Sequence, residues 1–285
     1  MRHRFDVRVG AIAFRIGSAW RAPIDALARL YRDYPQSECV AHYTVRLEPA
    51  RPWRRWVRPS VVIGGDHILP EAAPLPLRLG LLAAEMGMNL QLALGERRFL
   101  LLHAATVERD GAALILTGES GAGKSTLATL LATRGWRFMG DEFALLDPAT
   151  GLLWPFPRPS SLKNASIETV AALVPPDRLA PELADTPKGR IRHVVPALSA
   201  IAAMDTAARP AAIVFPRYGA EAAVRPVARS EAFVRLTQAS TNYVALGERG
   251  FIALTRLIET VPAIAIDYPD TDSAIGLIED VRAAL

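Results

Sequence analysis

The sequence predicts an α/β fold, a mixed core of strands and helices around a glycine-rich loop, preceded by a small α+β domain. Three observations carry that prediction. The loop GESGAGKST (118–126) stands between the apolar run AALIL (112–116) and the helical pattern LATLLATRGW. Further on, AAIVFPRY (211–218) and VPAIAIDY (261–268) read as buried strands, while 230–240, 248–260 and 273–284 place apolar residues at helical spacing. The first hundred residues instead alternate apolar and polar positions around one amphipathic helix.

Taken in order, FDVRVGAIAFRIG (5–17) and AHYTVRLEP (41–49) read as strands, with a helix at PIDALARLYRDY (23–34) between them. The stretch LPEAAPLPL (69–77) carries prolines at 70, 74 and 76 and reads as a linker, followed by a helix over 78–94. The domains are therefore placed at 1–95 and 96–285. FLLLHAATVER and AALIL flank Asp110-Gly111, a turn signal that makes them a hairpin running into the loop. Residues 125–134 follow as a helix stopped by Gly135, and WRFMGDEFALLD reads as one strand reaching Asp141 and Glu142.

A chain of 285 residues that is 51% hydrophobic and 22% charged is globular in composition. No apolar run approaches the roughly 20 residues of a membrane span, and MRHRFDVRVG shows no secretory signal. The single cysteine, Cys39, excludes an intramolecular disulfide and a cysteine-only metal cluster, so a cytoplasmic setting is expected. A net charge of +4 admits acidic partners or nucleotide phosphates and gives no argument for nucleic acid.

Gly118, Glu119, Ser120, Gly121, Ala122, Gly123, Lys124 and Ser125 satisfy G-x-x-x-x-G-K-[ST]. Small residues are needed because backbone N–H groups must curl around phosphate oxygens, where a Cβ would crowd them. Lys124 would bring a mobile positive charge to the outer phosphates, Ser125 a hydroxyl for Mg²⁺, and the helix that follows its positive end. A ligand-free strand-to-helix turn is the bland alternative. Asp141 and Glu142 follow one helix later, where a carboxylate beside the phosphates could hold metal or take a proton. Adjacent strand residues point to opposite faces, so both can act only if the strand ends there; a solvated turn is the competing reading.

The run 101–146, with His103, the 118–125 loop, Arg134-Gly135 and Asp141-Glu142 in that order, resembles the catalytic core of bacterial HPr kinase/phosphorylase. The chain is similar to the HPr-kinase-related group called HprK-related kinase A through LHAATVERDG, GKSTLATLL, RGWRFMGDEFALL, TPKGRIRHVVP (186–196) and the pattern from STNYVALG to IDYPD. The resemblance implies a P-loop kinase core of the HPr kinase/PEP carboxykinase-like type using ATP and Mg²⁺. It implies Asp141 as general base, Lys124 and the loop amides on the phosphates, Ser125 with Asp141 or Glu142 on the metal, and His103 beside the loop. Thr126 stands where HPr kinases carry Glu, Glu142 stands where they carry the second Asp, and their Gly-Arg-Asn signature is not found, so reverse phosphorylase activity and HPr as acceptor are not expected.

Weaker candidates are Lys188 and Arg190, in a basic segment read as a flexible loop closing over the nucleotide, and Arg217 as a phosphate contact. The segment RPWRRWVRP (51–59) reads either as a partner-binding surface or as a hairpin edge whose Trp53 and Trp56 cover the core. The expected function is an ATP-dependent kinase acting on a hydroxyl of a protein or peptide, with a small-molecule acceptor and a non-catalytic nucleotide-binding regulator as alternatives. The first domain is assigned acceptor recognition, and HPr-kinase hexamers offer homo-oligomers as an analogy.

Overall fold

The computed structural model describes residues 2–36, 40–69, 72–119 and 121–285; Cys39 and Ser120 lie outside the described residues. The chain divides into two compact units, Met1–Glu96 with Asp185–Pro187, and Arg97–Ala184 with Lys188–Leu285.

In the first unit, β1 (His3–Val9), β2 (Ile12–Ser18), β3 (Tyr43–Pro49), β4 (Ser60–Gly65) and β5 (Leu75–Pro76) form one sheet in that order. The helix α1 (Arg21–Leu30) crosses between the parallel strands β2 and β3. The stretch 5–17, expected as one strand, is a hairpin. Gly10 turns the chain at φ 55°, and the alternation on either side of it hides the turn in the sequence. The expected linker also takes structure, since Leu75 and Pro76 pair with Val61 and Ser60. Proline is tolerated there because an edge strand does not need every N–H. The helix α2 (Gly80–Gly95) lies on β3 and β4, and Gly87 permits the approach: a Cβ there would sit 2.5 Å from Val45 Cγ1.

In the second unit, β6 (Leu100–Leu102), β7 (Ala104–Arg109) and β8 (Ala112–Thr117) precede the glycine loop, and α3 (Lys124–Thr133) follows it. Asp110 and Gly111 take φ 55° and 81°, the left-handed pair that a two-residue hairpin turn requires. Next come β9 (Arg137–Gly140), β10 (Ala144–Leu146), β11 (Leu153–Trp154), β12 (Ser160–Lys163), α4 (Ala165–Ala171), β13 (Leu183–Thr186), β14 (Gly189–Val194) and α5 (Leu198–Ala202). The chain closes with β15 (Arg209–Tyr218), β16 (Ala223–Pro226), α6 (Arg229–Ala239), α7 (Tyr243–Leu246), α8 (Glu248–Thr260), β17 (Ala263–Tyr268) and α9 (Thr271–Ala283).

Six of these strands make the main sheet, in the order β16-β17-β15-β8-β7-β9. β15 runs parallel to both β8 and β17, and β9 shares their direction because β8 and β9 both pair antiparallel with β7. Four strands therefore deliver their carboxyl ends to one edge. Alternation gives the sheet two apolar faces. Leu114, Leu116, Val214 and Ile266 pack under Leu127 and Leu131 of α3 and Ile278 of α9. Ile115, Ile213, Phe215 and Ala265 pack under Leu236 of α6 and Leu254 and Leu257 of α8. The expected single strand 136–147 is two strands, because the chain leaves the main sheet after Gly140 and re-enters pairing as β10 in the small sheet β11-β10-β6.

Candidate functional site

The glycine loop begins where β8 ends, with the Thr117 hydroxyl donating to the His103 carbonyl at 3.1 Å. Gly118, Gly121 and Gly123 take φ 149°, 89° and 88°, values that side chains with a Cβ adopt only at a cost. At Gly123 a Cβ would also meet the Tyr268 hydroxyl oxygen at 2.4 Å. That hydroxyl donates to the Ala122 carbonyl at 3.1 Å, and burial pushes its pKa up to about 12, keeping it a donor. Lys124 is buried at the start of α3, with Nζ donating to the carbonyls of Gly118 at 2.8 Å and Glu119 at 2.9 Å. Burial draws its pKa down, opposed by the charges of Asp141 and Glu142 and aided by Lys163. Ser125 and Thr126 follow, half-buried.

Asp141 and Glu142 occupy the break between β9 and β10. Asp141 is 6% exposed; its Oδ2 accepts from Ser160 Oγ at 2.7 Å and from the Ser161 amide at 3.3 Å, while its Oδ1 is buried without a hydrogen-bond partner. Burial pushes this carboxyl above the usual range and the Glu142 charge adds to the effect, while the Ser125 and Ser160 hydroxyls pull the other way. The Ser125 hydroxyl is close enough to act electrostatically, although it makes no hydrogen bond of normal geometry to Oδ1. His103 is exposed where the chain passes from β6 to β7. Its Nδ1 donates to the Glu142 carbonyl at 3.1 Å and lies 3.8 Å from Glu142 Oε2. Loop, lysine and carboxylates thus meet at one point of the sheet edge.

Beside the loop opens a cleft of about 990 Å³, lined in part by His103, Thr117, Gly118, Glu119, Arg217 and Asp267. Sequence reading missed the centre of this lining. Asp267 is 3% exposed and binds two arginines: Arg217 through Nε at 2.9 Å and Nη2 at 2.7 Å, and Arg225 through Nη1 at 2.6 Å. Arg225 and then Arg217 hold its carboxyl below the usual range. Ser160, Lys163 and Tyr268 were also missed. Asp267 stands in an apolar strand run, and its meaning depends on the β15–β17 and β16–β17 registers, which no local pattern reveals.

The basic segment at 188–193 is not an open loop. Lys188 lies in a turn and Arg190 on β14, and neither lines the cleft. The Arg190 guanidinium binds Glu182 at 2.6 and 2.8 Å and Glu168 at 2.8 Å, and these acids raise its pKa, Glu182 foremost. Strand alternation explains the error, since charged residues facing out of a strand look like loop in the sequence. The hairpin edge expected at 51–59 is also corrected: Pro52–Arg55 is a 3-10 turn, and Trp53 and Trp56 are 53% and 73% exposed rather than covering a core.

Among the described residues no group of three or more His, Cys, Asp and Glu could hold a metal ion, and no helix is long and apolar enough to cross a membrane. A pair of carboxylates with a serine hydroxyl remains within what Mg²⁺ needs, because that ion keeps several waters and takes one or two protein carboxylates.

No family model and no curated protein matches this chain. Among solved structures the chain is similar to one described as the Hpr(Ser) kinase/phosphatase from Coxiella burnetii. The two are 14% identical, the match covers 65% of this chain and 95% of that one, and the TM-score is 0.30. A likeness of that size decides nothing about activity.

Proposed function

We propose that this chain is an ATP- and Mg²⁺-dependent kinase that moves the γ-phosphoryl group to a hydroxyl, with Ser or Thr of a protein or peptide as the favoured acceptor. One observation carries the reading: a buried lysine and a buried aspartate with an unpartnered oxygen converge on a glycine loop between a strand and a helix. The motif order over 101–146 supports the same reading.

In this scheme the loop amides and the start of α3 hold the phosphates of ATP, and Lys124 exchanges its two loop carbonyls for phosphate oxygens. Mg²⁺ would be held by the Ser125 hydroxyl and Glu142, where it would offset the charge of the phosphates, and the unpartnered Asp141 Oδ1 stays open to a proton. The acceptor oxygen attacks the γ-phosphorus, the bond to the ADP oxygen breaks, and Asp141 receives the hydroxyl proton. His103 acts as a positioning residue by holding the Glu142 backbone. The first unit supplies acceptor docking: Trp53 and Trp56 stand exposed among Arg51, Arg54 and Arg58, which have no carboxylate partner among the described residues.

The deciding experiment is calorimetric titration of Mg·ATP into wild type and Lys124→Ala, followed by radiolabel transfer into cell extract. The reading expects binding that Lys124→Ala abolishes and a labelled acceptor. Wild type that binds no nucleotide would refute it, and binding without transfer would leave a nucleotide-binding regulator.

A further inference from the structure

The cleft contains a second centre of positive charge on the opposite face of the sheet from α3. Strand alternation puts Phe215, Arg217, Ala265 and Asp267 on the α6 face. Arg217 stands directly opposite Asp267 in the parallel pair, and Arg225 is its diagonal neighbour on β16. The single carboxylate is buried and fully engaged, whereas the side chains it holds are 65% and 52% exposed. Two guanidiniums share one negative charge, and Arg217 and Arg225 keep N–H groups that Asp267 does not use.

Position says what the fork faces. A Cβ built on Gly118 would lie 3.9 Å from the Pro216 carbonyl oxygen, and one on Gly123 4.0 Å from Tyr218 Cβ, so the residues bracketing Arg217 border the loop. Asp141 is tied instead to Ser160, which also takes a hydrogen bond from Thr129 of α3. The cleft runs from the fork to His103, which touches Glu142. A ligand lying along it would span from the two arginines, past Gly118 and Glu119 of the loop, to His103.

We infer that Arg217 and Arg225, oriented by Asp267, form an oxyanion subsite for the acceptor, whose hydroxyl is accompanied by a phosphate or carboxylate group. The role as acceptor subsite rests on the kinase reading above; the anion site itself does not. Inorganic phosphate is titrated by calorimetry into protein saturated with Mg²⁺ and the non-hydrolysable analogue AMP-PNP. Wild type, Arg217→Gln and Arg225→Gln are compared, each single variant leaving Asp267 one arginine, with thermal melts to verify folding. The expected result is phosphate binding weakened about tenfold or more in each variant, the size of one lost charge-assisted hydrogen bond, with AMP-PNP affinity unchanged. A comparable fall in AMP-PNP affinity would assign the arginines to the nucleotide and overturn the proposal, as would nucleotide-saturated wild type that binds no phosphate. Wild type that binds phosphate through these arginines but no AMP-PNP would keep the anion site and discard the kinase reading. Competition by glycerol 3-phosphate, or by an acetylated Ser-Asp-Glu peptide, separates a small phosphorylated acceptor from an acidic peptide. Competition by neither removes the acceptor role.

Discussion

Asp141 is the residue proposed above as the general base. Its carboxyl is raised by burial and by Glu142, so the folded protein holds this proton more tightly than the unfolded chain does. Stability without ligand is therefore greatest in acid and falls as pH rises from the ordinary carboxylate value through the raised one. Asp141→Asn removes that loss, so its melting temperature at neutral pH should exceed that of wild type. The same substitution should cut phosphoryl transfer by about 10²-fold, the usual size of a general-base contribution. A variant with wild-type turnover would remove Asp141 from the role. Asp267 behaves oppositely, because Arg225 and Arg217 lower its pKa. Its contribution is present above the ordinary carboxylate value and is lost as pH falls through the lowered one. Asp267→Asn should cost about 2 kcal/mol in urea unfolding at neutral pH, below the range for fully buried pairs because both arginines reach solvent. It should also flatten that acid limb.

At the scale of elements, two glycines decide how closely pieces of backbone approach. Gly123→Ala must adopt φ 88° and bring a Cβ to 2.4 Å from the Tyr268 hydroxyl oxygen. Loss of Mg·ATP binding is expected in calorimetry, with about 1–3 kcal/mol of destabilisation. Gly87→Ala in α2 sets two effects against each other. Helix propensity favours alanine by about 1 kcal/mol, but a Cβ 2.5 Å from Val45 Cγ1 brings overpacking of about 1–3 kcal/mol. The clash should win, and adding Val45→Ala should recover part of the loss in a melting experiment. The elements that the sequence reveals are those with local signatures. Asp110-Gly111 announces its hairpin, and the glycine loop announces β8 and α3. The turn at Gly10 is hidden because the alternation continues across it, and the edge strand at Leu75–Pro76 and the strand at Gly189–Val194 because pairing with residues distant in sequence creates them.

Across the whole molecule, the candidate site was legible where its residues are close in sequence. His103, the loop and the Asp141-Glu142 pair fall within one stretch of the chain, whereas the Arg217–Asp267 and Arg225–Asp267 contacts join residues 50 and 42 apart. Hydrogen exchange should show the nucleotide's footprint: Mg·ATP should slow amides of the loop and the first turn of α3 and leave the sheet of the first unit unchanged. Reversing charge at Arg54 and Arg58 should weaken labelling of a macromolecular acceptor with no change in ATP affinity. Unaltered labelling would separate the exposed tryptophan segment from acceptor docking.

β7 pairs with β9, and β6 pairs with β10, so Thr106 faces Gly140 and, further along, Leu102 faces Ala144. The two pairings are one antiparallel ribbon folded across a crease, with His103 on one strand of the fold and Asp141, Glu142 and Phe143 on the other. This bend brings the histidine within reach of Glu142 and sets Asp141 beside it in the chain. A change that flattened the ribbon, even one buried among Leu100, Leu102, Ala144 and Leu146, would scatter them while every residue of the loop stayed in place.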